Sequence, residues 1–238
     1  MVPGSALGAG GPMSPRVRKQ GYTLIETMIV VVVIGIMAGL VAAVFARRTG
    51  DQRAKAAVRS VADLMLLGRT EAIRTGTNHI VYVQLDPADA ALEDNAGVPV
   101  AALLIADADS DGIPDAGEYR ASVPFDDTDS LQWGSTFAAA VTQPAPNDNA
   151  AGVFPAVDPD FACCTFTDPG ANPSRWVVFL PDGMPRAFST GPFAAGALGT
   201  GGGAVYVSSG TRDYAVVLAP LGGVRVHSWN RGASAWTN

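Results

Sequence analysis

The chain has 238 residues, of which 16 are lysine or arginine and 22 are aspartate or glutamate, giving a formal net charge of −6. This length accommodates one moderate domain in addition to a membrane anchor. The acidic balance disfavours a nucleic-acid-binding protein, because phosphate backbones are attracted to basic surfaces. Neither of the two histidines lies near a candidate nucleophile in sequence, and no motif places an acid, a base and an oxyanion site together. Composition therefore gives no support for an enzyme.

Residues 1–21 are interpreted as a short leader. Residues 1–12 are rich in glycine, alanine and proline and carry no charge, whereas three basic residues lie between positions 16 and 19. Met13 offers a second start site, which we favour as the true initiator. Because the leader holds three basic and no acidic residues, the mature chain has 13 basic and 22 acidic residues and a net charge of −9.

An apolar segment follows the leader. Thr27 to Ala46 is a run of 20 uncharged residues, which as a helix would be roughly 30 Å long and able to cross a bilayer. The basic leader favours a cytoplasmic N-terminus. Glu26 is costly in lipid, so we expect its carboxylate to have a specific partner. The alternative is an ordinary signal anchor or a cleaved secretory signal, but such a signal has a shorter apolar run without an internal carboxylate.

Lys19-Gln20-Gly21, Tyr22 and Glu26 lie where the leader meets the apolar segment and are in register with it. These residues resemble the cleavage region of type IV prepilins and type II secretion pseudopilins. The resemblance implies that prepilin peptidase cleaves between Gly21 and Tyr22 and that Tyr22 is N-methylated, although tyrosine replaces the usual phenylalanine. It also implies that Glu26 neutralises the N-terminal amine of a neighbouring subunit during filament assembly. A buried ammonium and a buried carboxylate are each expensive alone and tolerable as a pair.

One helix is predicted from Tyr22 to about Thr75. Its second part has apolar residues every three or four positions, at Ala54, Val58, Val61, Met65, Gly68 and Ala72. Gly76 follows a basic last turn and predicts the end of the helix. Residues 22–46 would be the transmembrane half and residues 47–75 an amphipathic half packed on a periplasmic head, 76–238. This α+β lollipop is what the pilin resemblance implies.

The head is predicted to be a β-rich antiparallel sheet or sandwich. Short apolar or alternating segments between turn residues predict strands at His79–Leu85, Val98–Ala106, Tyr119–Val123, Leu131–Phe137, Arg175–Leu180, Pro185–Ser189, Gly203–Ser208, Asp213–Ala219 and Gly223–Trp229. Val98–Ala106 is uniformly apolar and expected to be buried on both faces. Residues 143–173 are predicted to form a long loop. The order of elements, with Val178–Gly183 in the middle and Gly223–Val226 near the end, resembles the GspH/FimT branch of minor pilins.

The acidic stretch 107–118 has the sharpest local pattern. Acidic residues occupy positions 1, 3, 5, 9 and 12 of a twelve-residue loop and glycine occupies position 6, which matches the EF-hand calcium pattern. The expected ligands are Asp107, Asp109, Asp111, the Ile113 carbonyl, Asp115 and Glu118. Five carboxylates so close together repel one another without a cation, so we favour a calcium site, placed between strands rather than helices. The alternative is a solvated acidic turn, since many pilins of this branch carry a degenerate Asp/Asn/Gly-rich loop here.

Cys163 and Cys164 are the only cysteines and are adjacent in sequence. Outside the cytoplasm thiols tend to oxidise, so the choices are a vicinal disulfide, bridges between chains or two free thiols. We favour the vicinal disulfide. A zinc site would need further ligands, and His79 and His227 are distant in sequence. Both histidines lie in predicted strands and are expected to be strand residues rather than catalytic groups.

Three function classes remain. The first is a minor pseudopilin, a structural subunit of a type II secretion pseudopilus that exports folded proteins. The second is a FimT-like minor type IV pilin in pilus assembly or DNA uptake. The DNA-binding members have two arginines flanking one residue after a glycine, and the segment from Gly223 to Val226 keeps only Arg225. Arg212, Arg225 and Arg231 could form a small patch that contacts DNA, against the acidic net charge. A membrane-anchored hydrolase is the third and the least supported.

The expected location follows from the resemblance. The chain would cross the bacterial inner membrane once, with a cytoplasmic N-terminus and a periplasmic head, and would enter a filament when assembled. Its expected partners are prepilin peptidase and other pilins or pseudopilins at a filament tip.

Overall fold

The computed structural model describes residues 22–85, 90–115, 117–124, 132–136, 163–170, 172–188, 199 and 201–237, with the backbone alone for 42–50. The chain divides into two compact units, Met1–Val44 and Phe45–Asn238. The helix in the described residues is α1 (Leu24–Thr75). The described strands are β1 (Asn78–Val83), β2 (Val100–Asp107), β3 (Tyr119–Pro124), β4 (Gln132–Trp133), β5 (Phe166–Thr167), β6 (Pro173–Ser174), β7 (Trp176–Phe179), β8 (Pro185–Phe188), β9 (Gly203–Ser208), β10 (Asp213–Leu218), β11 (Val224–Asn230) and β12 (Ala235–Thr237).

α1 begins and ends where its terminal backbone groups find partners. The Glu26 amide donates a hydrogen bond to Thr23 Oγ1 at 3.3 Å, which satisfies one of the amides that the start of a helix leaves free. Thr23 and Glu26 also have the spacing of a capping box. At the other end the Gly76 amide donates to the Ala72 carbonyl at 3.0 Å, and Gly76 has a φ of 71° that glycine adopts without strain. The predicted helix is confirmed, beginning two residues later than expected.

The first sheet has five antiparallel strands in the order β3-β2-β1-β7-β8. β2 is buried along its whole length, as its uniformly apolar sequence predicted. One face of the sheet contributes Val81, Leu104 and Phe179 to the main core. The opposite face carries a second cluster of apolar side chains, formed by Ile80, Tyr82, Leu92, Val100, Leu103, Ile105, Trp176, Val178 and Phe188.

The second sheet also has five antiparallel strands, in the order β12-β11-β10-β9-β4. β9 and β10 are buried along their whole lengths. β9 is covered on its other edge by two short segments, because β4 pairs with its end and Cys164 forms a bridge to Val205. Such cover leaves few unpaired backbone groups at the edge. Of the predicted strand Leu131–Phe137, residues 132–136 are described, and among these Gln132 and Trp133 form β4.

The second part of α1 packs on both sheets. The predicted apolar stripe is confirmed, since Ala54, Val58, Val61, Met65 and Ala72 are all buried in the main core.

Two contacts fix the helix on the sheets. At Gly68 the helix approaches the first sheet so closely that a Cβ would lie 3.0 Å from Leu104 Cδ1. The Tyr214 hydroxyl of the second sheet donates to Asp51 Oδ1 at 2.8 Å. Burial, followed by the Asp51 carboxylate, raises the pKa of Tyr214 to about 12.

Most of the predicted loop 143–173 lies outside the described residues, and its last part was predicted wrongly. Phe166 and Thr167 pair with Ser174 and Pro173 as β5 and β6. Phe166 is buried and lies so close to Gly203 that a Cβ there would be 2.2 Å from the ring. Strands of two or three residues are too short to show an alternating pattern, which also explains why the three-residue β12 was missed.

We predict that Gly68→Val lowers the free energy of unfolding by about 1–3 kcal/mol, because the added side chain overpacks the helix–sheet contact. The measurement is urea unfolding of the full chain in detergent, with tryptophan fluorescence as the signal that monitors unfolding. Thr70→Val, on the exposed side of the same helix turn, is the matched control and should change stability by less than about 0.5 kcal/mol. Equal stability of both variants would contradict close packing at Gly68.

Candidate functional site

The first part of α1 exposes apolar side chains around its whole circumference. Leu24–Val41 has a mean hydropathy of 2.6, is long and apolar enough to cross a membrane, and none of it is buried. Tyr22, just before the helix, is 82% exposed. A helix that is apolar all round requires cover from lipid or from other protein. Gly21, on the other side of the predicted cleavage position, lies outside the described residues.

Glu26 is the one charged residue in Leu24–Val41. Its backbone amide is capped by Thr23, and its carboxylate lies in the first turn of the helix, where the helix dipole favours a negative charge. Within the described part of the chain no cation forms an ion pair with this carboxylate. Among the described residues, Glu26 therefore has a helix cap on its backbone amide but no counter-ion for its carboxylate.

A β-hairpin closes the acidic loop, which we define as residues 107–118. Asp107 is the last residue of β2, and β3 begins directly after Glu118. The Ala106 amide donates to the Glu118 carbonyl at 2.8 Å. This ladder brings the first and last positions of the loop side by side, so the loop lies between strands as predicted.

The carboxylates of the acidic loop gather in two overlapping groups. In Asp107, Asp109 and Glu118, one carboxylate oxygen of each residue lies within 4.8 Å of the other two. The same holds for Asp109, Asp111 and Asp115. Asp109 belongs to both groups, so all five predicted carboxylate ligands lie in one connected cluster. Ile113, the predicted carbonyl ligand, has an exposed side chain, and its amide donates to Asp111 Oδ1 at 2.8 Å.

The loop is held against the face of the first sheet that carries the second cluster. The Tyr82 hydroxyl donates to the Gly112 carbonyl at 2.7 Å, and the Gly112 amide donates to Asp107 Oδ1 at 3.3 Å. Gly112 has a φ of 72°, the left-handed conformation that a tight turn at this position requires. Sequence reasoning missed the role of Tyr82, because no local pattern links a strand residue to a loop 30 residues later.

Asp107 is the most enclosed carboxylate of the loop. The residue is 1% exposed, and its Oδ2 atom has no hydrogen-bond partner. Burial is the main cause that raises the pKa of this carboxyl from 3.8 to about 6. The Gly112 amide opposes the increase, whereas the negative charges of Glu118, Asp109 and Asp111 add to it. The ionised carboxylate is therefore unfavourable in the folded state without a cation.

Comparison with protein families identifies the N-terminal segment. A family model described as the prokaryotic N-terminal methylation motif matches residues 16–42. The chain is type IV pilin-like. Pilin-like proteins are structural; the motif implies processing by prepilin peptidase and assembly with other pilins, and with the apolar helix it fits a membrane-anchored protein. Comparison with the curated proteins and with the solved structures gives no match to this chain.

Two of the three predicted arginines of this pilin-like chain lie together. Arg212 and Arg231 line a groove of about 320 Å³ whose wall includes Trp229. Arg225 is exposed on β11, where it pairs with Val217 of β10, and does not line this groove. The predicted patch is therefore formed by two arginines rather than three.

The cysteines and histidines of the pilin-like head are buried. The Sγ atoms of Cys163 and Cys164 lie at bonding distance, in the vicinal arrangement favoured from the sequence, and the Cys163 carbonyl accepts a hydrogen bond from the Tyr206 amide. His79 lies in β1 and His227 in β11, as predicted. Burial lowers the pKa of His79.

We predict that Asp107→Asn raises the free energy of unfolding of the metal-free chain at pH 7 by about 1–3 kcal/mol, because it removes a buried charge and keeps the oxygen that accepts from Gly112. Since the raised pKa makes the ionised form the unfavourable one, the gain should be present above pH 6 and lost below about pH 4. The measurement is urea unfolding in EDTA.

Asp63→Asn is the control for this change, because it removes the same charge from an exposed helix position. It should leave stability within about 0.5 kcal/mol of the wild type. A loss of stability in Asp107→Asn would contradict the cost assigned to the buried carboxylate.

Proposed function

We propose that the chain is a minor pseudopilin, a structural subunit of a type II secretion pseudopilus that takes part in protein export. The observation that carries the proposal is Glu26, a carboxylate without a counter-ion among the described residues, on an uncovered apolar helix directly after the methylation motif. A structural subunit needs such a helix to pack against copies or relatives of itself.

In this proposal the processed N-terminus supplies the missing counter-ion. Cleavage between Gly21 and Tyr22 creates an amine, and that amine in one subunit pairs with Glu26 of its neighbour. Each charge alone would be several kcal/mol unfavourable in an apolar filament core. The pair relieves both costs and fixes the axial register of neighbouring helices, whose apolar surface by itself fits lipid as well as protein.

One feature favours the secretion pseudopilus over a DNA-uptake pilus. The mature chain has a net charge of −9, which repels DNA at long range. We accordingly place the protein among minor pseudopilins, with the inner membrane, prepilin peptidase and other pseudopilins as its partners.

We expect Glu26→Gln to fail to restore secretion in a strain that lacks this gene. Glutamine keeps the capping-box geometry with Thr23 but removes the charge, so a defect reports on charge pairing rather than on helix formation. The measurement compares folded exoproteins in the medium and periplasm of the parent, the deletion strain and the complemented strains. Asp63→Asn, which removes a charge from the exposed face of the same helix, should restore secretion.

Two results would contradict this proposal. An unchanged secreted proteome in the deletion strain would direct the assignment to a type IV pilus, with twitching and DNA uptake as the assays. Full complementation by Glu26→Gln would show that the charge of Glu26 is dispensable for assembly.

The alternative, a FimT-like minor pilin, is favoured by the groove that Arg212 and Arg231 line beside Trp229. Two arginines lining one groove suit a phosphate backbone, although Trp229 itself is buried against Trp236. Our proposal predicts no DNA binding by the full chain in detergent at about 150 mM salt, measured by fluorescence anisotropy. Salt-sensitive binding that is lost in Arg212→Ala/Arg231→Ala but kept in the control Arg225→Ala would favour the alternative.

A further inference from the structure

We propose that the acidic loop, residues 107–118, is a calcium-binding site that fastens the β2–β3 hairpin to the first sheet. The carboxylates of Asp107, Asp109, Asp111, Asp115 and Glu118, with the Ile113 carbonyl, are the ligands. The inference is independent of the filament to which the protein belongs, because it rests on residues of the head alone.

The buried oxygen of Asp107 is the observation that separates a metal site from a solvated turn. A solvated turn keeps its carboxylates in water, where each oxygen finds hydrogen-bond donors. Asp107 instead is 1% exposed, and its Oδ2 has no hydrogen-bond partner. One of its carboxylate oxygens lies within 4.8 Å of an oxygen of Asp109 and of an oxygen of Glu118. A buried carboxylate oxygen without a hydrogen-bond donor is strongly unfavourable. A cation bound by this carboxylate and its neighbours would offset that free-energy cost.

Within each group, the spacing of the oxygens fits a shared calcium ion. Calcium binds oxygen atoms at 2.3–2.6 Å, so two oxygens on the same ion are at most about 5 Å apart. Both groups of three carboxylates satisfy this limit, and Asp109 connects them. All the donors are oxygen, which favours calcium over zinc or copper. Six or more donors from the protein also favour calcium over magnesium, which keeps several of its waters.

The existing hydrogen bonds of the loop are compatible with a bound cation. The two carboxylate oxygens of Glu118 accept from the amides of Ala108 at 2.9 Å and Asp115 at 3.3 Å. Asp111 Oδ1 accepts from the Ile113 amide. An ionised carboxylate has about four lone-pair sites, so each side chain keeps its amide partner and still has an electron pair for the ion. These hydrogen bonds from backbone amides orient the carboxylates before the ion binds.

The ion would act on the fold through Gly112. Asp107 and Tyr82 hold the amide and carbonyl of this residue, so the loop and the second cluster of the first sheet share one anchor. Neutralising the carboxylates would stabilise this anchor and the hairpin that contains it. A single loop outside a paired EF-hand domain should bind in the affinity range of extracellular calcium modules, with a Kd of about 0.1–1 mM.

The test uses the full mature chain in detergent, stripped with EDTA and titrated with calcium chloride by calorimetry and thermal unfolding. We expect one calcium per chain and an increase in Tm of about 3–8 °C at 5 mM calcium, with a clearly smaller increase at the same magnesium concentration. No heat and no change in Tm with calcium would overturn the proposal, and an equal change with magnesium would overturn its selectivity.

Matched variants keep the test decisive. Asp107→Asn removes a ligand charge while retaining shape and should fold without metal but lose at least about tenfold in calcium affinity. Asp63→Asn carries the same change in net charge outside the loop and should bind like the wild type. Unchanged calcium affinity in a folded Asp107→Asn protein would overturn the assignment of the site to this loop.

Discussion

Burial of one helix stripe against two sheets is the constraint on which the head depends. Ala54, Val58, Val61, Met65 and Ala72 fill the space that one face of each sheet leaves open. Small residues at the closest approach matter as much as apolar ones, since the backbone at Gly68 meets Leu104 and Phe179 directly. The strands of both sheets are joined by antiparallel ladders, but it is the helix that gives the two inner faces a common apolar partner.

On its other face the first sheet carries the second apolar cluster, which includes Leu92 from the connection between β1 and β2. The acidic loop lies at this face, and its position there accounts for the burial of Asp107. Alternation along β2 places Leu103, Ile105 and Asp107 on the same face. The carboxylate of Asp107, the last residue of the strand, therefore lies next to an apolar cluster. Tyr82 reaches from that cluster to the loop backbone. The loop therefore continues the packing of the sheet, and Asp107 is enclosed because the sheet face beneath it is apolar.

The N-terminal segment obeys a different constraint. Its side chains are uncovered on every side. Within the described residues the backbone amide of Glu26 is capped by Thr23, but its carboxylate has no opposite charge beside it. Lipid satisfies the apolar surface but not the carboxylate. Neighbouring pilin-like subunits would satisfy both, which is why a residue that is unfavourable in an isolated membrane helix suits a helix that assembles.

The sequence by itself determined the elements whose physical signal is local. The span and end of α1 follow from the apolar run, the periodic stripe and Gly76. The long strands β2, β9 and β10 follow from continuous apolar stretches bounded by turn residues. The methylation motif and the spacing of acidic residues in 107–118 can likewise be read directly, because each depends on neighbours within a few residues.

Only the tertiary structure decided what depends on distant parts of the chain. Sequence could not divide the strands between two sheets, because pairing partners are chosen by the packing of the whole core. It could not find β5 or β6, because strands of two residues have no alternating pattern and because Phe166 of β5 packs against Gly203, which is distant in sequence. The sequence suggested one patch of Arg212, Arg225 and Arg231, whereas in the fold only Arg212 and Arg231 line the same groove. Above all, sequence could not show that Asp107 is enclosed, because burial depends on the sheet, Tyr82 and the returning hairpin, not on the spacing of the carboxylates.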